Sequence, residues 1–242
     1  MNKGEKARQY QDTVFRMYFN DAGRLRELAG ASHGRTYTID DPLKIVTLEG
    51  TFLSQVKNDI SFLLAGHHLV FIEHQSTPNA NMPLRFLQYV ARLYECIQNP
   101  RDRYLRRLKK VPTPEFYVFY NGEEDYPEKA TLRFSDAFMA MSEKPALELV
   151  VSVTNINYTK DSKILRVCKP LKEYTLFVEA VRRHTKLDGE NGFQNAIKEC
   201  IQNDVLREYL QRKSREVINM LIAEYDYDVD IAVQREEALQ EG

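Results

Sequence analysis

The chain is 242 residues long, 43% hydrophobic and 29% charged, with a formal net charge of −1. It is long enough to bury a substantial core, as one large domain or one domain with a helical appendage, and its composition excludes a disordered chain. Cys96, Cys168 and Cys200 lie far apart with no CxxC pair, which indicates neither a disulfide framework nor a zinc site and fits a reducing cytoplasm.

The first ten residues are polar and charged, and no run approaches about 18 apolar residues, so the expectation is a cytoplasmic protein with no membrane association. Residues 12–19 (DTVFRMYF) place Val14, Phe15, Tyr18 and Phe19 at helical spacing behind a capping Asp12. A mixed segment around Gly50 follows. Residues 59–75 then read as a β-hairpin, DISFLLAGHHLVFIEHQ, with acids and an amide at the outer ends of two apolar strands. Strand alternation puts Glu73 and Gln75 on one face and His74 on the other. For Asp59 to share the Glu73 face, facing residue numbers must have an even sum, which requires a hairpin loop of odd length or a bulge.

Pro78 and Pro83 break the chain, and residues 83–98 return to helical spacing. Leu84, Leu87, Val90, Ala91, Tyr94 and Ile97 form one stripe, read as the core face, while Arg85, Tyr89 and Arg92 line the other. Residues 115–120 (EFYVFY) read as a strand ended by Asn121-Gly122, and 147–153 (LELVVSV) as a buried strand. Beyond 160 the pattern is helical, in 164–181, 193–210 and 214–225, with Asp188-Gly189 and Asn203-Asp204 as interruptions and helix resuming at Ile231. This predicts a mixed α/β core over 1–160 and an α-helical region over 161–242.

Two features carry chemistry. Asp59 and Glu73, if they converge, offer the hard oxygen ligands that suit Mg²⁺, which can polarise a phosphoryl oxygen and activate water. The bland reading is a turn cap and a surface ion pair, and spacing alone leaves the two balanced. Between 85 and 110 stand Arg85, Arg92, Arg101, Arg103, Arg106, Arg107, Lys109 and Lys110, interleaved with Tyr89, Tyr94 and Tyr104; such a strip fits a phosphate backbone, or else a solvated helix face. The five histidines show no ligand spacing and are read as structural or exposed. No GxxxxGK[ST], GxGxxG or GxSxG occurs, which counts against nucleotide-binding and serine-hydrolase readings and against a small-molecule cofactor.

Asp59 followed by Glu73-His74-Gln75 resembles the D…(D/E)xK signature of the PD-(D/E)xK nuclease superfamily in an ExQ form. Together with DTVFRMYFND, IEHQST, NMPLRFLQYVARLYE, PEFYVFYNG and the helical end NAIKECIQNDVLREYL, it resembles the Rpn family of recombination-promoting nucleases, also described as putative transposases (YhgA-like). The resemblance spans nearly the whole chain. It implies a restriction-endonuclease-like core, a mixed sheet flanked by helices, that cuts DNA with Mg²⁺ or another divalent ion such as Mn²⁺ or Ca²⁺. Carried over, Asp59 and Glu73 are the metal ligands, Gln75 stands at the lysine position, and Asp12 adds a carboxylate. Arg85 and Tyr89 match an R-x-x-x-Y pattern, and Arg85, Tyr89, Arg92, Arg103, Arg106 and Arg107 are the expected DNA contacts.

Two positions depart from the signature. Asn58 replaces its proline, which carries no chemistry. Gln75 brings no positive charge, so cutting is expected to be slower, by on the order of a hundredfold for one lost electrostatic contact. The alternative is a catalytically weak nuclease-fold module that binds DNA or protein. In that case Val217, Met220, Leu221 and Tyr225 form a C-terminal stripe on which a second copy of the chain can pack.

Overall fold

Six strands, β1 (Leu43–Ile45), β2 (Ile60–Leu64), β3 (His68–Gln75), β4 (Thr113–Tyr120), β5 (Lys129–Arg133) and β6 (Val150–Asn155), form one mixed sheet in a computed structural model of the chain, in the order β1-β2-β3-β4-β6-β5. The structure describes residues 14–47, 58–140, 142–160 and 162–241, with side chains only as far as 223 and at 225. The helices are α1 (Val14–Phe19), α2 (Ala22–His33), α3 (Met82–Ile97), α4 (Lys163–Val167), α5 (Lys169–Asp188), α6 (Gly192–Gln202) and α7 (Arg207–Glu241). Asp12 lies outside the described residues. Among those described, no helix is long and apolar enough to cross a membrane.

The contacts divide the chain into two compact units, Asn20–Lys169 and the described part of Met1–Phe19 with Pro170–Gly242. The first holds the sheet. Its strand β3 is central: it pairs antiparallel with β2 and parallel with β4, and Leu69, Val70, Phe71 and Ile72 are all buried. A strand covered on both faces needs this continuous apolar run. One face packs on α3, through Leu69, Phe71, Phe116, Val118, Val151 and Val153 against Met82, Phe86, Tyr89, Val90 and Leu93. On the opposite face α2 ends with His33 against Glu115 of β4. The architecture is thus a mixed α/β one, a six-stranded sheet flanked by helices and accompanied by C-terminal helices, consistent with a nuclease-like core.

The parallel β3–β4 pair requires a crossover, which α3 supplies. Pro83 in the first turn of α3 has no N–H to leave unbonded, and Pro100 lies just beyond the far end. The buried stripe of this helix is 82, 86, 89, 90 and 93: of the stripe read from sequence Val90 is buried and Leu87, Tyr94 and Ile97 are half-buried against the same core, but Leu84 is 44% exposed and Ala91 is exposed, while Tyr89, read on the other side, is only 3% exposed. Both stripes have helical period. The tie breaks in favour of Phe86, which reaches Phe71 and Phe116 at ring-centroid distances of 6.2 and 5.2 Å.

Helix α2 and strand β5 were not foreseen. The apolar residues of α2 are diluted by Gly, Ala and Arg, and β5 is a five-residue edge strand whose inward face is only Ala130 and Leu132, both half-buried. Strand β6 begins at Val150 and alternates, with Val150 40% exposed and Val151 fully buried, instead of being buried on both faces.

In the second unit, Phe15 and Tyr18 of α1 pack edge-on against Tyr174 of α5 and Tyr209 of α7, at 5.2 and 5.1 Å. These aromatic contacts group α1 with the C-terminal helices, an association across more than 150 residues that a boundary at 160 does not contain. Helix α7 runs unbroken through the gap expected before Ile231. The chain breaks instead at Cys168, because Pro170 cannot donate to the preceding turn. Val217 is fully buried and Leu221 is 7% exposed, so half of the stripe proposed for a second copy already packs within the chain. Tyr225 meets Phe193 of α6 at 6.0 Å.

Candidate metal-binding acids at the end of the central strand

The hairpin meets the parity requirement. Its loop is the three residues 65–67, and facing pairs such as Ile60/Ile72 and Leu64/His68 have even sums. Ala65 and Gly66 both take positive φ, 51° and 73°, which closes an odd loop without a bulge. One step beyond the last ladder pair, Asp59 therefore comes opposite Glu73. Two hydrogen bonds fix it there: the Asp59 N–H donates to Glu73 Oε1 at 3.0 Å, and the His74 N–H donates to Asp59 Oδ2 at 2.8 Å.

Glu73 is 2% exposed. Burial, and then the charge of Asp59, push its carboxyl up to about 8 despite the opposing pull of Arg85 and the Asp59 N–H. Arg85 Nη2 donates to Glu73 Oε2 at 2.9 Å, and its Nε and Nη2 donate to Tyr89 Oη at 3.0 and 2.8 Å. The Arg85 side chain remains 40% exposed, so one edge of the ion pair meets solvent. Burial, and then the charge of Glu73, raise the Tyr89 hydroxyl to about 12, so it stays protonated. Gln75 shares the Glu73 face, and its Nε2 donates to Met82 Sδ at 2.7 Å.

The end of β4 braces this corner. The Asn121 N–H donates to Gln75 O at 2.8 Å, and Gly122 lies against the Ser76 carbonyl and Tyr120 Oη so closely that a Cβ has no room.

Asp59, Glu73, Gln75 and Arg85 thus converge, whereas the rest of the basic strip does not join them. Tyr89, read as surface-facing, belongs to the buried stripe, and its hydroxyl is turned to Arg85. Arg92 is exposed and pairs with Glu95 at 3.1 Å. Arg103, Arg106 and Arg107 sit in the 98–112 loop, where with Asp102 and Lys109 they line a hollow of about 450 Å³. Helix α3 has 16 residues with Arg85 the fourth, so roughly 18 Å of helix separates Arg85 from that loop. The loop enters β4 at Thr113, beside the start of β3, and the acids lie toward the end of β3.

A second cluster escaped the sequence reading. His33 from α2, His68 from the start of β3 and Glu115 from β4 bring their side chains together on the face opposite Glu73. Burial works against the Glu115 charge, but hydrogen bonds from His33, Tyr117 and His68 outweigh it and hold the carboxyl at about 2. No spacing could have signalled this group, because each member comes from a different element.

The family model described as putative transposase, YhgA-like, matches residues 53–220, more than half of the chain and all of the Asp59–Glu73–Gln75–Arg85 corner. No curated protein and no solved structure matches the chain.

Proposed function

The chain belongs to the putative transposase, YhgA-like family, and from that premise we propose that it is a divalent-metal-dependent nuclease that hydrolyses DNA phosphodiesters at the Asp59–Glu73 corner. The observation that carries this reading is a buried carboxylate set directly against a second one. Glu73, at 2% exposure, has Asp59 opposite it and the Arg85 guanidinium on its other oxygen, and burial together with the Asp59 charge works against its ionisation. A fold that keeps such a pair bears a desolvation and repulsion cost of several kcal/mol, which a divalent cation removes. The donor set is all oxygen, as Mg²⁺ or Mn²⁺ prefers. Asp59 and Glu73 would hold the ion, which supplies Lewis-acid stabilisation of the phosphoryl oxygen and a more acidic attacking water.

The remaining residues position and neutralise. Tyr89 accepts two hydrogen bonds from Arg85 and so holds the guanidinium against Glu73. Gln75 carries no charge, and Arg85 is the cation beside the acids. Its solvent-facing edge is suited to a phosphate oxygen, so Arg85 takes over the electrostatic part that Gln75 cannot play. The Gln75 amide orients water. Arg92, roughly 10 Å along α3 from Arg85, and the Arg103, Arg106 and Arg107 loop beyond its end, roughly 18 Å from Arg85, hold the DNA backbone over about five base pairs of duplex.

The test is relaxation of supercoiled plasmid with Mg²⁺ or Mn²⁺. Nicking that stops with chelator and falls at least about a hundredfold in Asp59→Ala, Glu73→Ala and Arg85→Ala is the expected result. Nicking that survives both carboxylate changes refutes the site. Plasmid binding without any nicking by the unaltered protein establishes the alternative, a binding module that keeps the nuclease fold.

A further inference from the structure

His33, His68 and Glu115 form the one group of three or more potential metal-ligating side chains that converges among the described residues, with ligand atoms all within 4.8 Å of one another. We infer that they constitute a second metal site, selective for a borderline transition ion of the Zn²⁺ class and separate from the acids at Asp59 and Glu73. Two imidazole nitrogens and one carboxylate oxygen are too soft a set for Mg²⁺ and match Zn²⁺ or Co²⁺. The carboxylate lies between the rings, with His33 Nε2 at 2.5 Å from Glu115 Oε2 and His68 Nδ1 at 2.6 Å from Oε1. The rings themselves are 5.0 Å apart.

Outer partners orient the ligands, as they do around bound metals. His33 Nδ1 meets Tyr37 Oη at 2.7 Å, which leaves Nε2 as its ligand atom, and Tyr117 Oη donates to Glu115 Oε2 at 2.9 Å. His67, next in the chain to His68, is turned back to its own loop through Ala65 O at 2.6 Å. The ligand side chains are 11%, 25% and 19% exposed, sheltered yet within reach of an ion from solvent. Three protein ligands leave a fourth position for water. Such an ion ties the end of α2 to β3 and β4. It sits on the face of the sheet that His68 and Glu115 share, while Asp59 and Glu73 look out from the other, so the two sites load independently.

The experiment uses the full chain stripped with chelator and titrated with Zn²⁺ or Co²⁺ in millimolar Mg²⁺, which saturates the oxygen site. Expected are one tightly held ion per chain with visible Co²⁺ absorption, affinity at least about a hundredfold weaker in His68→Asn, about tenfold weaker in Tyr37→Phe, and unchanged in Asp59→Ala. Uptake that is absent, indifferent to His68→Asn, or lost in Asp59→Ala overturns the inference. The unaltered protein gives a check that needs no variant: Zn²⁺ shifts the ring NMR signals of two of the five histidines, assigned to His33 and His68. Shifts of none, or of another pair, overturn it equally.

Discussion

Replacing Glu73 by Gln removes an acid that the fold keeps protonated far above its ordinary range, and the consequence is a measurable dependence of stability on pH. The native carboxyl holds its proton up to about 8, whereas in the unfolded chain it releases it around the ordinary value of 4.5. Between those values the native state binds more protons than the unfolded one, so this group's contribution is fully present below pH 4.5 and is lost as pH rises through 8. Each pH unit is worth about 1.4 kcal/mol for one proton, so between pH 5 and 8 the loss is on the order of 4 kcal/mol. Glutamine cannot titrate. It also places an amide donor against Arg85 or the Asp59 N–H, a constant penalty of about 1 to 3 kcal/mol, but a constant does not change the slope. The assay is urea unfolding at several pH values with chelator present, followed by tyrosine fluorescence because the chain has no tryptophan. The unfolding free energy of the unaltered protein minus that of Glu73→Gln is expected to fall steadily from pH 5 to 8, and millimolar Mg²⁺ at pH 8 is expected to restore it only in the unaltered protein. A difference that stays flat, or rises with pH, refutes the account of Glu73 as a buried acid held neutral against Asp59.

The other predictions concern the parts that hold and serve this corner. Removing Arg103, Arg106 and Arg107 together should lower the slope of log binding constant against log salt by about 2 to 3 on duplex DNA; an unchanged slope excludes the loop from the DNA contact. Phe86→Ala should cost about 4 kcal/mol in urea unfolding and Leu84→Ala less than about 1, because Phe86 is fully buried and Leu84 is 44% exposed; the reverse order would put the other stripe of α3 in the core. Gly122→Ala should cost about 2 kcal/mol or more, because its methyl group has to displace the Ser76 carbonyl or the Tyr120 ring, and a neutral effect in thermal unfolding would mean that the β4 turn does not brace β3.

The hairpin could be read from residues 59–75 because it is local. Apolar alternation fixes which side chains share a face, so the sequence could state the parity condition for an Asp59 and Glu73 encounter, and the three-residue loop of the structure meets it. The basic strip could be read only as composition. Its residues are neighbours in the chain, but α3 carries the loop arginines away from the acids and leaves Arg85 beside them. Tyr89 changed sides for a related reason: two apolar stripes of equal period run along α3, and only the rings of Phe71 and Phe116 on other strands decide between them.

The sequence by itself determined the mixed α/β class, the family and the acids that close the central hairpin, since each depends on local periodicity or on motif order along the chain. Tertiary structure decided the partners of those acids and revealed what local patterns cannot encode. It set Arg85 on Glu73 and grouped α1 with the C-terminal helices. It also gathered His33, His68 and Glu115, separated by 35 and 47 positions, onto one spot. Such contacts depend on which faces of distant elements meet, and that is settled by the packing of a whole core.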